Sequence, residues 1–138
     1  MEGREEERQM MISFEQFKMQ GDSPIYQQIV LYIKRGAVAG TIKNLDELPS
    51  RRVLSALLGV NPNTVQKACR ILEEEGLIAS VAGSKSLMAL TQEKIEEIRA
   101  ELVEADAKGA VMKLKQMGLS KEEAKGLLDK YWECGDEL

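Results

Sequence analysis

The stretch that most restricts how this chain can fold is Gly59-Val60-Asn61-Pro62. A glycine can take the left-handed backbone that ends one helix, and an asparagine followed by proline starts the next. The Asn side chain accepts from a free N–H of the first turn, and proline suits the first helical position. Upstream, Ser50 is placed to cap a short helix whose expected buried face is Val53, Leu54, Leu57 and Leu58. Downstream, Val65, Ala68, Cys69 and Leu72 recur at i, i+3, i+4 and i+7, the stripe of a core-facing helix, which Gly76 closes. Two helices joined through only Gly59, Val60 and Asn61 form a helix-turn-helix.

The flanking sequence extends this unit on both sides. Leu77 to Val81, Ala82 to Lys85 and Ser86 to Leu90 read as strand, turn and strand, a β-hairpin in the position of a wing. Before the pair, Ser23 is the expected N-cap and Pro24 the first residue of a helix. Its stripe is Ile25, Ile29 and Ile33 beside Tyr26, Val30 and Val38, and it stops near Gly40. Ile12 to Phe17 is either a short strand or an arm that packs two Phe rings. Residues 1–11 lack any apolar period and read as a mobile tail. From Thr91, Ile95, Ile98, Leu102 and Ala105 alternate by three and four. The pattern continues, straight or kinked at Gly109, through Val111, Leu114 and Met117. Gly118 is a C-cap, and Ser120 with Glu123 makes a capping box for a last helix carrying Leu127, Leu128, Tyr131 and Trp132. The fold class expected is mainly α with a small β-hairpin. Residues 12–90 form a winged helix-turn-helix, and residues 91–138 a short two-helix domain.

Composition removes several functions. Among 138 residues there is no histidine, so Ser-His-Asp catalysis, Cys-His catalysis and Cys₂His₂ zinc are excluded. Two cysteines, Cys69 and Cys134, cannot make a Cys₄ zinc site and read as reduced thiols of a cytoplasmic protein. The apolar runs fall short of the ~20 residues of a membrane span. Met1 to Arg8 is too acidic for a targeting peptide. No enzyme activity, metal, cofactor or membrane partner is therefore expected.

Charge is uneven. The formal net charge is −4, yet residues 24–90 hold 8 basic against 5 acidic groups, and three of those acids are the run Glu73-Glu74-Glu75. Opposite the buried stripe of the second paired helix lie Asn63, Gln66, Lys67 and Arg70, with Thr64 at its start. Such groups read base edges or bind phosphate when a helix enters a major groove. Arg51 and Arg52 sit in the first turn of the preceding helix, where free N–H groups also favour an anion. The plainer alternative is a solvated polar face, which every surface helix has. The tight turn, the two caps and the following hairpin favour the functional reading.

Here a family resemblance becomes specific. Leu48-Pro49-Ser50-x-Arg52, Gly59-Val60-Asn61-Pro62-Asn63-Thr64-Val65 and Leu72-Glu73-x-Glu75-Gly76-Leu77-Ile78 resemble, in order, the winged helix-turn-helix of GntR-family bacterial transcription regulators. Pro24-Ile25-Tyr26-x-Gln28-Ile29 is similar to that family's first helix. The Asn-Pro-Asn-Thr-Val form and the short C-terminal part most resemble its YtrA-type branch. The resemblance implies a homodimeric repressor on a two-fold operator in double-stranded DNA. It implies backbone contacts from Arg52 and Thr64, with the face from Asn63 to Arg70 in the groove; in the wing, Gly83 and Lys85 are the candidate contacts, Lys85 standing in as a phosphate contact for the wing Arg that this chain lacks. Three positions depart from the family pattern: Pro62 stands where many relatives have Arg, Leu45 where a Gly is usual, and Gly83-Ser84-Lys85 where Gly-Arg-Gly is common.

About 48 residues in two helices cannot enclose a metabolite pocket of several hundred cubic ångströms, so any small-molecule effector stays unknown. The seam of Ile95, Ile98, Leu102 and Ala105, with Leu127 and Trp132, is better matched to a second subunit. The competing function is a protein-interaction scaffold that uses a winged fold without DNA.

Overall fold

The computed structural model describes residues 10–81 and 85–134. Among them are five helices and three strands: α1 (Ile25–Ala39), β1 (Glu47–Leu48), α2 (Arg51–Leu58), α3 (Pro62–Glu74), β2 (Ile78–Val81), β3 (Lys85–Met88), α4 (Gln92–Gln116) and α5 (Lys121–Cys134). The chain divides into two compact units, one ending at Arg99 and the other beginning at Ala100.

In the first unit the local signals set the helix ends. The Ser50 hydroxyl accepts from Val53 N at 3.2 Å, and Asn61 Oδ1 accepts from Asn63 N at 2.8 Å. Gly59 between them sits at φ 67°, the left-handed cap that turns the chain from α2 into α3. Ser55, buried in α2, fixes the turn from inside: its hydroxyl donates to Val60 O at 2.6 Å. The core comprises Ile29 and Ile33 of α1, Leu54 of α2, Val65 and Leu72 of α3 and Met88 of β3, all fully buried. Where α1 ends, Gly36 is required by close packing, because a Cβ there would collide with the Ile42 side chain.

The strands form one antiparallel sheet in the order β1-β3-β2, with Glu47 opposite Leu87, Leu48 opposite Ser86, and Ile78 to Val81 opposite Met88 to Lys85. The turn at 82–84, including Gly83, lies outside the described residues. β1 joins the hairpin through a backbone turn in which Leu45 holds φ 71°. Its neighbours lock that turn onto β3: Leu45 N donates to Met88 O at 2.9 Å, Met88 N to Asp46 O at 2.8 Å, and Leu90 N to Asn44 Oδ1 at 2.8 Å. Left-handed backbone costs a side-chain-bearing residue roughly 1–2 kcal/mol, so this strand connection is strained.

Three expectations change. The first helix begins one residue late, with Pro24 as its N-cap and no side-chain cap from Ser23. Gln28 does the bridging instead: its Nε2 donates to Ser23 O, and its Oε1 accepts from Gln20 N, both at 2.8 Å. On α2, Val53 and Leu57 are 55% and 63% exposed, and Leu58 is half-buried. The inward face is Leu54 and Ser55, a narrow stripe on a helix of only eight residues. Met10 and Met11, grouped with the tail by their sequence, pair with β1: Glu47 N donates to Met10 O at 2.8 Å, and Met11 bridges Glu47 in parallel. The sheet edge supplies unpaired groups that an adjoining segment satisfies. The segment after them is the aromatic arm: Phe14 and Phe17 cluster with Tyr32, ring centroids 4.9–5.9 Å apart, and Tyr32 Oη donates to Ser13 O at 2.7 Å.

The second unit is helical. α4 runs through Gly109 without interruption, and Gly118 at φ 79° turns the chain into α5. The Ser120–Glu123 capping box is reciprocal, Glu123 N to Ser120 Oγ and Ser120 N to Glu123 Oε1, each 3.2 Å. Among the described residues no helix is long and apolar enough to cross a membrane.

Candidate nucleic-acid interface

α3 carries a fully buried apolar stripe and an exposed polar face. Val65, Ala68, Cys69 and Leu72 face the core, which fixes the rotation of the helix about its own axis. Asn63, Lys67 and Arg70 are then exposed, and Thr64 and Gln66 half-exposed. The outward side of α3 is thus a row of donors and cations beginning at its first turn, with the acidic run starting only at Glu73.

The cations expected at the DNA differ in what holds them. Arg51 is paired within the fold at the surface: its Nη2 donates to Glu73 Oε1 at 2.8 Å, and its Nε is buried without a hydrogen-bond partner. Lys85, on the wing strand, lies 3.7 Å from Glu47 Oε1. Lys67 Nζ sits over the Tyr26 ring, 4.0 Å from its centroid. Arg52 and Arg70 are exposed and have no such partner among the described residues. None of these pairings was legible in the sequence, because each partner lies on another element of the fold.

Two further groups brace this face without being on it. Lys34 of α1, nearly buried, pairs with Glu75 at 2.7 Å where α3 ends. Lys94 of α4, half-buried, donates from Nζ to Gly76 O at 2.7 Å and to Ala89 O at 3.1 Å. It thereby caps the end of α3 and the base of the hairpin with one ammonium. Proximity to α3 in space, not any motif, identifies them. Cys69 lies beneath the face, and burial pushes its thiol above the ordinary value, against the lowering pull of the adjacent Arg51 guanidinium.

Of the residues expected at a subunit interface, Ile98 is buried within the first unit and serves its core. Ile95 and Leu102 are half-buried, Ala105 and Leu127 exposed, and Trp132 is 79% exposed. Among the described residues, no group of three or more Cys, Asp or Glu side chains is placed to hold a metal ion.

Comparison with known proteins gives this geometry its context. The family model for bacterial regulatory proteins of the gntR family matches residues 25–87. The chain is 33% identical over 123 residues to the HTH-type transcriptional repressor YtrA of Bacillus subtilis, covering 89% of this chain and 90% of that one. It is 32% identical over 106 residues to the HTH-type transcriptional regulator YhcF of the same organism, covering 77% and 88%. A GntR family transcriptional regulator from Listeria monocytogenes superposes with a TM-score of 0.70 at 31% identity, over 81% of this chain and 98% of that one. The chain belongs to the GntR family of bacterial regulatory proteins, DNA-binding transcription regulators built on a winged helix-turn-helix.

Proposed function

We propose that this chain is a homodimeric repressor that binds an inverted-repeat operator in double-stranded DNA of the cytoplasm. The observation that carries the proposal is the two-sidedness of α3: its apolar stripe is locked in the core, and Asn63, Gln66, Lys67 and Arg70 face outward. A helix so held can enter a major groove in one orientation only. Asn63 and Gln66 suit adenine edges and Arg70 suits guanine, while Arg52, Thr64, Lys67 and Lys85 hold phosphates. Repression is supported by the likeness to YtrA of Bacillus subtilis, a repressor.

Dimerisation through the segment 91–138, helical over most of its described residues, is supported by what that segment leaves uncovered. Leu127, Leu128, Tyr131 and Trp132 are all exposed and, with Leu114 and Ala124, line an apolar groove of about 230 Å³. A second copy would bury Leu102, Ala105, Leu127 and Trp132.

Selection of bound duplexes from a randomised library tests the proposal. An enriched inverted repeat, bound orders of magnitude more weakly at 200 mM than at 50 mM salt if ~6–10 phosphates are contacted, is the expected result. No binding at any salt concentration would overturn it in favour of a docking scaffold.

A further inference from the structure

Three of the cations expected at the DNA are held in place, and the chemistry of the holding differs. Arg51 and Lys85 face carboxylates, which a phosphate would have to displace. Lys67 instead lies over an uncharged ring, that of Tyr26, at 4.0 Å. The negative face of a ring attracts the ammonium without neutralising it. It also covers one side only of a group with three N–H donors, so donors remain for another acceptor. Tyr26 is itself set in place: it lies in the first turn of α1 and is half-buried, and its Oη accepts from Gln27 Nε2 at 3.3 Å.

We propose that the Tyr26 ring is a positioning platform that holds the Lys67 ammonium ready for a DNA phosphate. The proposal rests on Lys67 being a phosphate contact. A lysine free in solvent loses rotamer freedom when it binds. One already resting on a ring has given up much of that freedom in the unbound protein, and it keeps its full charge. Tyr26 therefore contributes to affinity through Lys67 while reading no base.

The test is the affinity of the full chain for an arbitrary-sequence duplex across a salt series, by fluorescence anisotropy. Lys67→Met is expected to lower the slope of log K against log salt by about 0.9 for each subunit bound. Tyr26→Leu is expected to weaken binding about two- to tenfold, the factor that ordering one long side chain costs at an interface. Tyr26→Phe keeps the face and should bind as wild type does. Placed in a Lys67→Met background, Tyr26→Leu should cost nothing further. An equal loss in both backgrounds, or a Tyr26→Phe as damaging as Tyr26→Leu, overturns the platform alone. An unchanged salt slope for Lys67→Met overturns the phosphate contact and the platform with it. If Tyr26→Leu unfolds the chain, Tyr26→Trp, which has the stronger face, is expected to bind at least as tightly, and weaker binding by that folded variant overturns the proposal.

Discussion

Arg51 Nη2 and Glu73 Oε1 are 2.8 Å apart, which ties the first turn of α2 to the last turn of α3. Both side chains are more than a third exposed, so solvent screens the pair and its contribution to stability is at most about 1 kcal/mol. A phosphate contact by Arg51 would have to displace this carboxylate, which α3 itself carries. Glu73→Gln is expected to leave the melting temperature within a few degrees. It should strengthen binding to any duplex severalfold and steepen the salt dependence, as a freed Arg51 adds a phosphate contact. Weaker binding by a folded Glu73→Gln would show that the pair is needed where it stands.

Leu45 holds φ 71° in a turn bonded to β3 from both sides, and its side chain is 44% exposed. Replacing it with glycine removes roughly 1–2 kcal/mol of left-handed strain and adds back up to ~1 kcal/mol of unfolded-state freedom. Leu45→Gly is therefore expected to stabilise the protein by about 0.5–1 kcal/mol, read as a higher urea midpoint at unchanged slope. A lower midpoint would mean that the Leu45 side chain contributes packing that its exposure does not suggest.

Lys94 bonds two carbonyls from two different elements with one ammonium. Lys94→Met keeps the stem and deletes the donors, and is expected to cost about 1–2 kcal/mol. Hydrogen exchange should rise at the end of α3 and at the hairpin base, and not in the Phe14–Phe17–Tyr32 cluster. Uniform exchange across the unit would contradict a local capping role.

Trp132 and Leu128 are exposed, so removing them cannot unpack a monomer. Trp132→Ala is expected to shift sedimentation toward the monomer and to weaken operator binding, with a monomer of undiminished helicity. Unchanged sedimentation would place the subunit contact elsewhere.

Cys69 is buried and Cys134 exposed. Below denaturing conditions a thiol reagent should modify Cys134 promptly and Cys69 only on unfolding. Because burial raises the Cys69 thiol in the folded state, the unfolded chain gives up that proton first. Its contribution to stability is thus fully present below the ordinary thiol range of about 8.5 and declines as pH rises past it. Stability that increases through that range in wild type but not in Cys69→Ala would contradict the direction.

What the sequence revealed and what it hid follow from distance along the chain. Ser50, Asn61 and Ser120 were legible because a cap is satisfied within three residues, and Gly59 because left-handed backbone at a helix end favours glycine. The α3 stripe was legible because thirteen residues give the period room to show. α2 has eight residues, too few to tell Leu54 and Ser55 from Val53 and Leu57 as the buried side. β1 is two residues long and carries no period at all; it exists through its pairing with β3. Leu45 stands where the family pattern has a Gly, and it holds left-handed backbone, which a leucine in the sequence does not announce. At the candidate interface, residue types were readable but availability was not, since the partners of Arg51, Lys67 and Lys85 come from elsewhere in the fold.

The division of labour on α2 and α3 is open to one comparison: Arg52→Ala and Gln66→Ala, each measured on the selected operator and on an unrelated duplex of equal length. Arg52 is exposed in the first turn of α2, and Gln66 is on the outward side of α3. Arg52→Ala is expected to weaken both duplexes by the same factor, as loss of a phosphate contact does. Gln66→Ala should weaken the operator alone, by the roughly 1–3 kcal/mol of a base contact, and relax preference at one position in each half-site. Equal losses on both duplexes for Gln66→Ala would contradict the placement of α3 in the groove.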